Sequence, residues 1–559
     1  MASLASYAQE YKETSTFGTP YIETIIASEL YEQNSIICGG LYQSSFQHGE
    51  FTAPFNGGNA DAYFAKFDEK GEVEMMKFFG GWADETVADL VSDNEGNIYL
   101  TGYFQGNDKG GTPFDADPNE GFFPLNQPGA LLTRDCFIIK LNAQGEFVWA
   151  KQISNTEYAS QEDSKTITVD NQGGVYIGGS FAQADFNTGG DTVPNIVLTK
   201  SGKAEGFLVK LDAETGNFVW LNHWYGGPTS FEKLVVDSAN GSLVALGMYT
   251  RTMHPGTDSI EFNGPIRDSR GFLARISLDG ELEWVKDFGG EGKIISDELL
   301  LLSDGNLVAA GRFSKTATFQ PQDTTNEVTA VGAYDLWWSG FDANGEFLYN
   351  KTFGGKGIES IGSLQEDKNG NLLIAALFSD TSTFTSSTEN LELISKGGND
   401  IVLLNMSQTG DYLGHLTIGG DDNHGTIQAF INDNDDVIMT GNFIGTVDFN
   451  PYEGEDFHSS LGSYDNFITR FTWPQLTTGI FSYQEQLDFA VYPNPAESIL
   501  NVRGEALERF EIYALNGRLI KSGSINLGGI HLDELNAGSY LFKVYTTEGL
   551  SASKLILKQ

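Results

Sequence analysis

The chain is poor in cysteine, in basic residues and in long apolar runs. Two cysteines in 559 residues, Cys38 and Cys136, make no disulfide framework. Each sits in a strand-like apolar stretch, where a buried free thiol is expected. Lysine and arginine total 33 against 76 acidic residues, a formal charge of −43. That balance excludes nucleic acid and anionic membranes as partners, because both would be repelled. No apolar run approaches transmembrane length, so an integral membrane protein is not expected. The histidines (His48, His223, His254, His415, His424, His458 and His531) are scattered. There is no HExxH, G-x-S-x-G, P-loop or CxxC motif. No catalytic set is legible, and a non-enzymatic protein is expected; His424 and His458 are the histidines a carboxylate would have to meet in the fold. Met1 to Ala8 shows neither a basic n-region nor an apolar h-region. Ser6-Tyr7-Ala8 before Gln9 has the small-x-small pattern of a signal-peptidase site, so the sequence is expected to start near a mature N-terminus.

What is present is strand-forming. Aromatic residues make up 12% of the chain and glycine occupies 66 positions. Short alternating segments of Val, Ile, Tyr, Phe and Trp are punctuated by Gly, Asn and Asp, an all-β pattern. A Gly-x-aromatic signature recurs at Gly40–Tyr42, Gly102–Phe104, Gly179–Phe181, Gly247–Tyr249, Gly311–Phe313 and Gly441–Phe443, with Ala376–Phe378 in the same slot. The spacings are 62, 77, 68, 64, 65 and 65 residues, which makes seven units. Each unit reads as four strands, A to D. Asn240-Gly241, Asp304-Gly305 and Asn369-Gly370 mark tight turns between A and B. Seven four-stranded meanders predict a seven-bladed β-propeller over residues 9–473.

The seventh unit has a C strand, Asp465 to Phe471, but no D strand; it runs instead into Thr472-Trp473-Pro474. Residues 9–18 precede the first A strand, and Thr16-Phe17-Gly18 matches the Thr352-Phe353-Gly354 end of a D strand. The N-terminal strand is therefore expected to complete the last blade and close the ring, leaving no open seam.

The units resemble SBBP-type β-propeller repeats of secreted bacterial proteins. The resemblance rests on Gly-Asn-Ile-Tyr-Leu-Thr-Gly-Tyr-Phe at 96–104, Asp-Ala-Tyr-Phe-Ala-Lys-Phe-Asp at 61–68 and Phe-Phe-Gly-Gly at 78–81. It speaks to fold and says almost nothing of activity.

Residues 474–487 read as a polar linker. Residues 488–559 read as a small immunoglobulin-like β-sandwich of short strands, with Asn516-Gly517 as a hairpin turn. This segment resembles the type A sorting domain of the type IX secretion system of Bacteroidetes. The matching features, in order, are Tyr492-Pro493-Asn494-Pro495, the turn glycine Gly517, the Gly538-x-Tyr540 strand, and Gly549 leading to the strand that carries Lys554. The resemblance implies cargo that crosses the periplasm and is handled by the type IX translocon, its shuttle protein and a sortase-like peptidase. The product would be released or held on the outer-membrane surface.

Between strands B and C run connections of about 16 to 29 residues, all expected on one face of the ring. A phenylalanine recurs in them, at Phe46, Phe114, Phe186, Phe262, Phe319, Phe384 and Phe449; sevenfold repetition argues for packing rather than for stacking on a ligand. Asp115, Asp117 and Asn119 stand at alternate positions, a spacing that suits oxygen ligands of calcium as well as turn formation. Asp185-Phe186-Asn187 and Asp448-Phe449-Asn450 echo them. Trp149, Trp220 and Trp284 share one D-strand position and are expected to pack between blades. The loop-rich face predicts a surface protein that binds a glycan or another surface protein. The alternative is a secreted polysaccharide- or peptide-processing enzyme with its site in the central channel.

Overall fold

The computed structural model describes residues 10–473 and 489–558, apart from interruptions of which the longest are 106–111, 126–132, 155–161, 187–196 and 262–267. Two compact units result, Met1–Thr478 and Gly479–Gln559. The expected linker at 474–487 and Ser6-Tyr7-Ala8 lie outside the described residues. No α-helix occurs among the described residues, so the all-β expectation is met.

The first unit is propeller-like. One antiparallel A-B-C-D meander recurs along it seven times among the described residues. Its second occurrence is typical: Glu85–Ser92, Ile98–Gln105, Arg134–Leu141 and Phe147–Ile153, each paired with the next. A-to-B turns are tight because glycine supplies the left-handed residue, as at Gly241 (φ 62°) and Gly305 (φ 88°). Each A strand contacts the A strand of the following sheet, and the seventh, His424–Ile431, contacts the first, Glu23–Tyr31. The N-terminal strand Tyr11–Phe17 pairs antiparallel with Asp465–Thr472, with Thr16 opposite Phe467, and so takes the D position of the seventh meander.

Two devices hold successive sheets together. On the turn side, a D-strand aromatic covers the C-to-D turn glycine of the next sheet. Trp149 lies over Gly216 and Trp220 over Gly280, where an added Cβ would come within 2.9 and 3.0 Å of the indole. The Trp149 and Trp220 indole N–H groups donate to Ala213 O and Leu278 O, both at 3.1 Å. Trp284 over Gly345 and Tyr349 over Gly410 repeat the contact. The tryptophans therefore pack between sheets, as their spacing predicts. On the opposite side, an amide at or just before the start of an A strand donates to a carbonyl at or just before the start of the preceding sheet's C strand: Glu85 N to Ala60 O (2.9 Å), Glu162 N to Arg134 O (3.2 Å), Thr229 N to Ala204 O (3.2 Å), Ile294 N to Ser269 O (3.0 Å).

The B-to-C connections are more ordered than their composition implies. Several fold back as short ladders, such as Phe46–His48 with Phe51–Ala53 and Phe114–Asp115 with Pro124–Leu125. In the sixth sheet the ladder is continuous with strands Leu372–Thr385 and Asn390–Met406. The expectation of irregular loops is corrected at these positions. Bulky side chains at alternate residues, which the loop reading passed over, give these hairpins their inward face.

The second unit packs two sheets around Phe489, Leu500, Phe510, Ile512, Phe542, Val544 and Ile556. One sheet orders Phe489–Tyr492, Ile499–Gly504 and Ile530–His531; the other orders Leu519–Ser524, Leu507–Ala514, Gly538–Thr546 and Ser551–Lys558.

Candidate functional site

The A strands place charged side chains on the ring axis. Lys233, from the fourth sheet, lies 3.8 Å from Glu298 of the fifth. Glu298 holds the Lys233 ammonium protonated well above its ordinary range, against the opposing effect of burial, with Asp89 of the second sheet and Glu29 of the first adding to it. Interactions between non-adjacent sheets mean that these side chains converge. Burial pushes Glu29 up to about 8 and Glu298 up to about 7. Glu29 Oε2 accepts the Ser92 amide at 2.7 Å, and Asp89 Oδ2 accepts the Ile167 amide at 3.0 Å, so both are fixed by the neighbouring sheet. One cation thus stands among three carboxylates. Carboxyls that keep a proton near neutral pH have the property a general acid needs.

A second set of carboxylates lines the seams between sheets. An acidic residue stands at the start of C strands, as at Asp61, Asp335 and Asp465, and Asp400 lies within the long strand Asn390–Met406; all four are buried. Facing the acid that opens the C strand, across the seam, is the residue at or just before the start of the next A strand: Glu85 faces Asp61, Glu359 faces Asp335, and Glu23 faces Asp465, each acid pushing the facing glutamate's carboxyl upward in addition to the larger effect of burial. The glycine ending each D strand makes room: an added Cβ would lie 2.8 Å from the Asp61 carboxyl carbon at Gly80 and 2.2 Å from that of Asp335 at Gly354. Sequence reasoning missed these pairs. The signal was present, in the acid that opens such C strands and the Phe-Gly that ends the D strand after it, but both were read only as repeat markers.

Asp115, Asp117 and Asn119 do come together, in the hairpin of the second sheet. Asp115 Oδ1 accepts the amides of Asp117 (3.1 Å) and Phe123 (2.9 Å), and Asp117 Oδ1 accepts that of Asn119 (3.0 Å). The Asn119 side-chain oxygen accepts Lys77 Nζ at 2.9 Å. Asp448 repeats the pattern with Asn450 N and Asp456 N. The alternate spacing therefore closes turns. Among the described residues no three His, Cys, Asp or Glu side chains gather as a metal cluster.

The recurrent phenylalanines are packing residues wherever they are described. Phe114 stacks between Phe104 and Phe137, and Phe449 packs on Phe443 and Phe467. Phe262 lies outside the described residues. Cys38 and Cys136 are free and buried. His458 meets a carboxylate, Asp456 at 3.0 Å, and its other ring nitrogen lies 3.3 Å from the Thr16 hydroxyl. Tyr11 also hydrogen-bonds Asp456, so the group ties the N-terminal strand to the seventh sheet. His424 meets none: both ring nitrogens are buried without a partner, and burial lowers its pKa to about 4.

In the C-terminal unit, Tyr492 ends its strand and Pro493, Asn494 and Pro495 follow as a bend, all four exposed. Asn494 Oδ1 accepts the Leu557 amide at 2.8 Å, and Ala496 N donates to Leu557 O at 2.8 Å. The opening motif therefore clasps the final strand. Lys554 lies 5.2 Å from the Phe489 ring centroid. Gly538 opens its strand, and Tyr540 donates to Asn536 O at 2.9 Å. Gly517 and Gly549 lie outside the described residues.

Residues 490–558 match the family described as secretion system C-terminal sorting domain. No curated protein matches the chain. Among solved structures, the quinohemoprotein alcohol dehydrogenase of Comamonas testosteroni aligns at 10% identity over 88% of this chain and 79% of its own, with a TM-score of 0.37. A europium-containing methanol dehydrogenase aligns at 10% identity over 83% and 93%, with a TM-score of 0.36. Glycoside hydrolase family 32 from Bifidobacterium adolescentis aligns at 10% over 98% and 95%, at 0.26. Likenesses this remote carry no argument about activity.

Proposed function

We propose that this chain is type IX secretion cargo: a closed seven-bladed β-propeller (residues 9–473) of the SBBP type. It is joined by a linker (474–487) to an immunoglobulin-like sorting domain (488–559), and it acts at the cell surface or outside the cell as a non-enzymatic binding protein. The sorting-domain match at 490–558 supports the export half. The translocon, its shuttle protein and a sortase-like peptidase are the partners this half requires. The binding half is supported by the gathering of the B-to-C hairpins on the side where C strands begin, held by a rigid ring. A glycan or another surface protein is the ligand class. The secreted protein, applied to a broad glycan array and used in pull-downs from envelope extracts, should retain a defined glycan class or a single partner. Failure in both assays removes the binding reading and leaves the export reading intact.

A second reading is favoured by the axial carboxylates. Glu29 and Glu298, with raised pKa values on the ring axis, support a polysaccharide- or peptide-processing activity in the channel. Screening polysaccharides and peptides for turnover tests it, with Glu29→Gln and Glu298→Gln as controls. Turnover that survives both substitutions would exclude the axial site.

A further inference from the structure

The seam between the first and second sheets carries a pair of buried carboxyl groups whose hydrogen bonding is incomplete. Asp61 and Glu85 are 0% and 1% exposed. Each carboxylate has one anchored oxygen. Asp61 Oδ2 accepts the Asn56 amide at 2.8 Å and the Tyr42 hydroxyl at 3.4 Å; Glu85 Oε2 accepts the Gly81 amide at 3.2 Å. The other oxygens, Asp61 Oδ1 and Glu85 Oε1, are buried and have no hydrogen-bond partner. The main chain fixes the two residues side by side, since Glu85 N donates to the carbonyl of Ala60. Asp84, beside them, adds negative potential at both, and its own carboxylate is held by the Asn59 amide at 2.6 Å.

A buried carboxylate oxygen without a partner is strongly disfavoured, and more so with a second such acid beside it. Something positive belongs between them. We propose that Asp61 Oδ1 and Glu85 Oε1 bind a hard divalent cation of the calcium type at this seam. The two carboxylates are the side-chain ligands, and main-chain oxygens and water complete the shell. Calcium accepts such mixed oxygen sets without a third carboxylate. The donors are oxygen only, and each carboxylate is pre-oriented by its anchored oxygen, which lowers the cost of ordering the site. At other seams only one acid of the pair has an orphaned oxygen, Asp465 Oδ1 beside Glu23 and Glu359 Oε2 beside Asp335, since Glu23 and Asp335 have both oxygens hydrogen-bonded; the doubly orphaned pair is therefore particular to this seam among the three. The site is separate from the Asp115–Asn119 hairpin, whose anchored oxygens already accept main-chain amides. It also does not depend on what the loop-bearing face binds.

The full chain, stripped with chelator, is titrated with terbium and then with calcium. Trp82 is the local sensitiser, because its indole lies against Gly57 in the same seam. Saturable terbium emission displaced by calcium is expected, with a rise in melting temperature at millimolar calcium. Asp61→Asn and Glu85→Gln should each weaken calcium at this seam by about tenfold or more. Asp117→Asn should leave it unchanged. In chelator the two seam variants should melt at or above the parent temperature, since an amide can donate to the facing oxygen; this shows that they fold. Emission unchanged in both variants overturns the proposal. So does a parent protein whose melting temperature ignores calcium yet falls between pH 5 and 8, which would assign the pair a shared proton instead.

Discussion

The amide of Glu85 donates to the carbonyl of Ala60 at 2.9 Å, and this bond sets the two acids Asp61 and Glu85 face to face across a seam of the ring. The same stitch recurs between other sheets, so one backbone geometry decides where the repeat's buried charges meet. Its consequences are measurable.

Burial raises Asp61 to about 7 and Glu85 well above the usual carboxylate range, and Glu359 to about 7. In the unfolded chain these groups titrate near about 4. The folded state therefore binds more protons between those values, and stability must fall as pH rises through them. In chelator, the melting temperature should decline from pH 4 to pH 8. Asp61→Asn combined with Glu85→Gln should flatten the curve; an unchanged slope in the double variant would show that these carboxyls are not its source.

Trp149 contributes both packing and a hydrogen bond to the next sheet. Trp149→Phe should cost about 1 kcal/mol, the worth of one hydrogen bond. Trp149→Ala should cost about 3–5 kcal/mol, because a cavity opens as well. Chemical denaturation distinguishes the two, and equal losses would mean that the N–H, not the ring body, carries the contact.

Without residues 1–18, the strand Asp465–Thr472 loses its partner and becomes an open edge. Such a chain should self-associate on size-exclusion chromatography and melt over a broader range. A synthetic peptide spanning residues 10–18 should restore the sharp transition; if the shortened chain is already monomeric and cooperative, the closing strand is dispensable.

Asn494→Ala removes the acceptor for Leu557 N and should destabilise the C-terminal unit by about 1 kcal/mol. Since that unit is the sorting signal, cells making the variant should retain more of the protein in the periplasm, measured by immunoblot of medium against cell fractions. Normal secretion would show that the clasp serves stability alone.

The strand content, the repeat and the sorting tail were legible because they are local. Period-two alternation, Asn-Gly turns and an ordered series of short motifs depend on neighbours in sequence. So does the role of Trp149, Trp220 and Trp284, because a position shared by successive repeats implies a shared contact. The B-to-C hairpins were passed over: outside the sixth sheet their strands are two or three residues long, too short for alternating bulky residues to stand out as a period.

The charged sites needed the tertiary structure. Asp61 and Glu85 are separated by a whole D strand and become partners only when one sheet seats on the next. Glu29, Asp89, Lys233 and Glu298 come from four different sheets and meet because a closed ring directs its first strands at one axis. Sequence by itself determined the all-β character, the repeating unit and the export signal, since each is written in short-range pattern. Which acids are buried, which of them face each other and which surround a lone lysine was decided only by closure of the ring. Burial and electrostatic contact are properties of distance in space, which separation along the chain does not encode.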